Sequence, residues 1–409
     1  MKSALVKFSS SILNALIFHN LVKRPLLGLG ARFKRSSNRF EPAPVAAGDR
    51  TLSFLLGSPR SGTTLSSILL DYTDGITCPP ELYLATFDSM GERKEMLEQT
   101  IYKSVGLGLA QALSRIERVS LTSSYAKMKD AEAQNIPTPV VYDYLQARSE
   151  PVFVDKTPFY LSYVSDELFL QRYPKAKYIY VYRHPLSVIQ SQKTQLDSLS
   201  DKQFRKFGMQ AMEQHRQGKI GLFAMAFAKR EAFREFQNYK MEAQQKYDFD
   251  KFKILESWWI YENRRTVEFL KTVPAEQKFV YSFESLVRDP EGTLAALYAF
   301  LGVDQDPRKA IAAYENKKAP DTVASILSAF WNWEIGDPNQ IFMAGKIESS
   351  RADEWKKHAH LWGKLEAETQ QLAIELGYED LQRPSPAEMK GAESIDPERD
   401  RSELALEVH

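Results

Sequence analysis

The stretch "FLLGSPRSGTTLSSILL", Phe54 to Leu70, constrains the fold of this chain more than any other. A short apolar run ends at Gly57, a turn bounded by Gly57 and Gly62 follows, and Thr64 to Asp71 carries a helical pattern. A strand that enters a helix through such a turn aims backbone N–H groups and the positive helix end at one point. The spacing is that of G-x-x-x-x-G-K-[ST], but Thr63 stands where that motif has its lysine. The loop therefore predicts an anion site built from the N–H groups of residues 60–64, with Gly62 at the turn. Ser61, Thr63 and Thr64 add hydroxyls, and Arg60 adds a fixed positive charge. Lacking the lysine, it suits a group shorter and less charged than a triphosphate, held without a bound metal.

Further buried-strand candidates are "PVFVDK" (151–156), "KYIYVYR" (177–183) and "KFVYSFE" (278–284). Helical patterns lie between them, notably 256–271 and 289–303, the latter with Asp289 as cap, Pro290 in the first turn and Gly302 at the end. Strands alternating with helices predict an α/β fold, a P-loop NTPase-like parallel sheet flanked by helices. Residues 192–255 are charged, helical in pattern and without strand signals, which predicts a helical insertion over the sheet. The expected organisation is a basic N-terminal helix and linker over 1–50, one domain over 51–382, and an acidic tail over 383–409. That tail has three prolines, seven acids and no aromatic residue, and is expected to be disordered.

Composition excludes several classes. A net charge of +1 gives no global field for nucleic acid. Residues 1–40 nevertheless hold eight Lys/Arg and no acid, with Leu5, Phe8, Ile12 and Leu16 at helical spacing. This segment is too interrupted to span a bilayer. It reads as a basic amphipathic helix on a membrane surface, as a targeting segment, or as a helix docked on the domain with a solvated basic arm. Cys78 is the only cysteine, so a secreted disulfide scaffold is excluded. A cytoplasmic location is expected, with membrane association or organelle targeting as alternatives. Six scattered histidines supply no metal set, and His358-x-His360 alone is too little.

"GSPRSGTT" resembles the 5′-phosphosulfate loop of sulfotransferases, which use 3′-phosphoadenosine 5′-phosphosulfate (PAPS) as sulfuryl donor. In "YIYVYRHPLSVIQSQ" a strand ends at Arg183 and Ser191 lies eight residues on, two helical turns away, so both can close on one phosphate. This is similar to the family's 3′-phosphate site, although Gln195 stands where tyrosylprotein sulfotransferases carry a second arginine; His184 reads as a bystander. In "VDKTPFYLSYV", Lys156 closes a strand at the carboxyl edge of the sheet. It resembles the lysine that faces the transferring group in tyrosylprotein sulfotransferases. "FVYSFESLVRDPEGTLAALYAFLGV" is similar to a pattern of many sulfotransferases, with Phe283 in place of the usual tyrosine and Tyr281 two residues earlier as a donor-site candidate. "GKIESSRADEWKKH" (345–358) resembles the loop that closes over the donor, which implies contacts from Ser349, Ser350, Arg351 and Lys356.

A hydroxyl acceptor needs a proton acceptor. Glu81, 21 residues after Arg60, resembles in its offset the glutamate base of tyrosylprotein sulfotransferases, and two prolines before it restrict its backbone. His215 is its local rival. "PPELYLATFDSMGERK" also resembles sulfotransferase domains of bacterial polyketide assembly lines, which sulfate a β-hydroxyacyl chain. The resemblance implies sulfuryl transfer from PAPS to an acceptor hydroxyl, with Arg60, Lys156 and Glu81 catalytic and no metal. Small-molecule, polyketide or carbohydrate hydroxyls rank above protein tyrosine as acceptors. A P-loop kinase using Asp155 for Mg²⁺, and an inactive PAPS-binding adaptor, are the alternatives.

Overall fold

The computed structural model describes residues 23–32, 40, 50–79, 81–98, 106–157, 160–196, 200–216, 231–317 and 346–378. Five strands, β1 (Thr51–Leu56), β2 (Ile76–Thr77), β3 (Val152–Asp155), β4 (Lys177–Tyr182) and β5 (Lys278–Ser282), form a parallel sheet in the order β2-β3-β1-β4-β5. Pairing sets Thr51 opposite Val152, Leu55 opposite Ile179 and Tyr180 opposite Val280. The inner strands are continuous apolar runs because both of their faces are covered. Phe54, Leu56, Phe153, Tyr178 and Tyr180 enter one core, and Leu55, Val152, Val154, Ile179 and Val181 enter the other. The first core is aromatic. The Phe54 ring lies 4.7 to 6.1 Å from those of Tyr142, Tyr160, Phe169, Tyr173 and Tyr178. Trp259 and Phe269 of the helix Lys251–Thr272 cover it, while Leu65, Leu69, Leu294 and Leu297 cover the opposite face.

The chain leaves β1 toward β2 on one side and leaves β4 toward β5 on the other. The crevice between the carboxyl ends of β1 and β4 is therefore a topological switch point, the place where open α/β sheets bind ligands. The strand expected over 278–284 stops at Ser282. Its hydroxyl accepts the Ser285 N–H at 3.0 Å and caps the helix Phe283–Arg288, so Phe283 and Glu284 belong to a first helical turn. The expected caps of the next helix hold: Asp289 accepts the Gly292 N–H at 2.9 Å, Pro290 opens the helix, and Gly302 closes it at φ 79°.

Four helices between β2 and β3, Met90–Glu98, Leu107–Glu117, Leu121–Ala133 and Thr138–Arg148, form a block that the sequence reading did not set apart. Over 192–255 the described residues form the end of Pro185–Leu196, then Asp201–Arg216, Glu231–Lys246 and the start of Lys251–Thr272. The basic arm is not solvated throughout, because Arg24–Arg32 is a docked helix. Its Leu27 is buried and its Arg24 pairs with Glu98 at 2.8 Å, while Leu26 and Leu29 are 51% and 54% exposed. The helix expected near residues 5–17 and the tail 383–409 lie outside the described residues. Among the described residues no helix is long and apolar enough to cross a membrane.

Candidate active site

The loop after β1 has the backbone its glycines require. A Cβ on Gly57 would lie 2.5 Å from the Val181 carbonyl oxygen, and one on Gly62 (φ 95°) would lie 2.3 Å from the Phe283 ring. Arg60 itself sits at φ 72°, a left-handed conformation uncommon for a residue with a side chain. The helix Thr63–Asp71 begins with no side-chain cap, so its first-turn N–H groups face the loop. Two expected donors are already engaged. The Ser61 N–H bonds the Ser58 carbonyl at 3.1 Å, and the Ser61 hydroxyl, fully buried, is 2.6 Å from that of Ser58. Thr63 is buried at the first helical position and Thr64 is half-buried beside it. Tyr281 is placed beneath the site: its hydroxyl donates to Ser66 at 2.7 Å on the helix behind the loop.

The structure brings the loop and the β4 edge together through Arg60. Its Nε donates to the Ser191 hydroxyl at 3.0 Å, and its carbonyl accepts from Arg183 Nη1 at 3.2 Å. Gln192 adds a bond to the Pro59 carbonyl at 3.3 Å. Ser191 and Arg183 thus lie on one wall, as their spacing predicts, with the helix Pro185–Leu196 carrying the serine. Arg183 is 5% exposed and lies over the Phe283 ring at 4.3 Å, and burial pulls its guanidinium below the usual range. Its Nη2 pairs with Glu354 at 2.5 Å, while its Nε is buried and has no hydrogen-bond partner among the described residues.

Glu354 belongs to the 3₁₀ segment Ser349–Lys364. Ser349 and Ser350 are exposed at its start, and the Arg351 guanidinium lies 5.8 Å from the centroid of the same Phe283 ring. Lys356 pairs with Asp353 at 3.3 Å on the outside. The segment is anchored by Trp355, which stacks on His184 at 4.6 Å. His184 is fully buried, and burial together with the neighbouring Arg183 charge pushes its imidazole down to about 3. Its place is in the packing. Glu354 and Phe283 were missed by sequence reasoning: Phe283 was visible only as a departure from tyrosine, and Glu354 carried no motif signal.

At the end of β3 the Lys156 ammonium pairs with Glu81 at 2.8 Å, with side chains 6% and 11% exposed. Tyr83 donates to the other Glu81 oxygen at 3.3 Å. The preceding Asp155 is fully buried and accepts from Tyr142, from Tyr160 at 2.5 Å and from Thr157 at 2.7 Å. Burial outweighs these bonds and raises its carboxyl to about 6. With three hydroxyls on it inside the core, Asp155 is a poor Walker-B ligand. His215 lies on the helix Asp201–Arg216, and its side chain is outside the described residues. Among the described residues no cluster of three or more His, Cys, Asp or Glu could hold a metal.

A cationic loop at a sheet edge, beside a buried lysine–glutamate pair, is a setting for transfer of an anionic group. Residues 53–231 match the Sulfotransferase family. The nodulation protein NoeE of Sinorhizobium fredii is 32% identical over 143 residues, which span 35% of this chain and 31% of that protein, less than a third of its length. Among solved structures, the sulfotransferase domain from the curacin biosynthetic pathway is 27% identical, with a TM-score of 0.57 over 81% of this chain and 98% of that one. The sulfotransferase domain from the Synechococcus PCC 7002 olefin synthase is 26% identical, with a TM-score of 0.58 over 84% and 99%. The segment that carries the β1 loop, Glu81, Lys156, Arg183 and Ser191 is therefore a sulfotransferase-family segment, in a chain with the fold of sulfotransferase domains.

Proposed function

We propose that this sulfotransferase moves a sulfuryl group from PAPS to an acceptor hydroxyl, giving a sulfate ester and 3′,5′-diphosphoadenosine (PAP). One observation carries the reading: Arg60 joins the β1 loop to Ser191 and Arg183 at the switch point, beside the Lys156–Glu81 pair. The residues present fit the donor. The uncapped first turn of the helix Thr63–Asp71 offers N–H groups at the loop, and the buried Arg183 Nε has no hydrogen-bond partner among the described residues. Arg183 and Ser191 would hold the 3′-phosphate, with Ser349, Ser350 and Arg351 closing from the 3₁₀ segment. PAPS supplies a sulfuryl group on a phosphate leaving group. Glu81 takes the acceptor proton as the acceptor oxygen bonds to sulfur, and the sulfur–oxygen bond to the phosphate breaks. Arg60, Lys156 and the first-turn N–H groups stabilise the charge left on that phosphate oxygen.

The acceptor class favoured is a small-molecule, polyketide or carbohydrate hydroxyl. Support comes from relatives of a biosynthetic pathway, an olefin synthase and nodulation. The kinase alternative is disfavoured by Thr63 and by the engagement of Asp155, and the inactive adaptor by the intact Lys156–Glu81 pair. The test is calorimetric titration with PAP and with ATP–Mg²⁺, followed by turnover on a panel of hydroxyl acceptors in EDTA. PAP binding and EDTA-insensitive sulfation are expected; ATP–Mg²⁺ binding with Mg²⁺-dependent turnover would establish the kinase. We also read the basic segment before residue 40 as a peripheral membrane contact. The exposed Leu26 and Leu29, three residues apart on the docked helix, support it.

A further inference from the structure

Glu81 sits in irregular chain between β2 and the helix Met90–Glu98, yet it is only 8% exposed, and Leu82 and Leu84 beside it are fully buried. No helix or strand sets the position of this carboxylate, so other groups must. Arg93, also fully buried, donates through Nε and Nη2 to the Leu82 carbonyl at 3.1 and 2.9 Å, and Nη2 also reaches the Gly106 carbonyl at 3.1 Å. From the opposite side the Thr157 hydroxyl accepts the N–H groups of Leu82 and Tyr83 at 3.1 and 3.3 Å while donating to Asp155. A Cβ on Gly108 would lie 2.0 Å from the Glu81 carbonyl oxygen, so that glycine lets a helix press against the Glu81 backbone.

Burying a guanidinium is costly, and an apolar side chain would fill the same volume more cheaply. What the guanidinium adds is a rigid planar fork that fixes the place of the oxygens it bonds. We propose that Arg93 is a positioning residue for Glu81: bridging the Leu82 and Gly106 carbonyls, it sets the loop so that the Glu81 carboxylate meets both Lys156 and the acceptor. The proposal rests on Glu81 being the base. It assigns Arg93, which touches no reacting atom, a role in the rate and none in donor binding, because the donor residues lie on other loops.

The test is a double-mutant cycle on the full-length protein, reading kcat for the best acceptor and PAP affinity. Arg93→Lys keeps the charge but loses the fork. In the wild-type background it should lower kcat by about 10-fold to 100-fold, the scale of a misplaced catalytic group, with PAP affinity within about 2-fold. In the Glu81→Gln background, where no base remains to be aimed, the same change should cost less than about 3-fold. Thr157→Val disturbs the loop from the other side and should show the same dependence on background, which keeps the test open if Arg93→Lys fails to fold. Equal losses in both backgrounds, or full kcat in Thr157→Val, would overturn the proposal. If Glu81→Gln alone turns over normally, the base assignment fails first and the positioning role falls with it.

Discussion

Arg183 rests on the Phe283 ring with one N–H unpartnered among the described residues and another held by Glu354, whose side chain is 43% exposed. A charge-assisted bond to a phosphate contributes about 1.5–3 kcal/mol, so Arg183→Ala should weaken PAP binding by about 10-fold to 150-fold. Adenosine 5′-phosphosulfate, which lacks the 3′-phosphate, should be nearly unaffected; calorimetry with both ligands checks this. Glu354 competes for the same guanidinium, so Glu354→Gln should tighten PAP by up to about 5-fold, the scale of a partly exposed ion pair. Asp155 predicts a pH effect. Its folded carboxyl titrates at about 6, above its ordinary value of 3.8, so its contribution is fully present below pH ~4 and is lost as pH rises through ~6. The melting temperature of wild type should fall relative to that of Asp155→Asn as pH rises from about 4 to 7, because only the wild-type side chain ionises. A constant difference would show that Asp155 does not titrate in that window.

The glycine-bounded loop is an element whose backbone cannot be replaced. Gly62→Ala puts a methyl group into the Phe283 ring at positive φ, so the melting temperature should drop by several degrees, the scale of ~1–3 kcal/mol. PAP binding should be lost with it, and wild-type affinity in Gly62→Ala would show that the loop does not need this turn. The same loop was legible in the sequence because strand, glycines and helix follow one another locally. β1, β3 and β4 were legible for a related reason, being apolar runs covered on both faces. β2 was not, since two residues carry no period. Strand β5 was read two residues too long because Phe283 prolongs the strand pattern, and only the Ser282 cap turns the chain. Arg60, Arg183, Ser191, Lys156 and Glu81 were named as candidates because their motifs resemble those of a known family. Glu354, Arg93 and Thr157 could not be, because no motif marks them and each is recognised only by a contact that the fold makes. Tyr281, named beside the donor, instead supports the helix from below.

Across the whole molecule, the sheet carries the switch-point crevice, while helical blocks stand on either side of it and one basic helix docks on the outside. If that helix meets a membrane, the protein should pellet with vesicles containing anionic phosphatidylserine and not with pure phosphatidylcholine. Binding should weaken as salt rises and fall in Leu26→Ser/Leu29→Ser; equal pelleting with both vesicle types would remove the charge from the argument. The acid on Arg183 has a further consequence for the rhythm of catalysis. If Arg183 grips the 3′-phosphate as proposed, a carboxylate on the anchored 3₁₀ segment, ready to take the arginine back, would be an internal competitor against spent nucleotide. It would shorten the residence of PAP after each cycle, so the acid that weakens donor capture would also hasten the clearing of product for the next round.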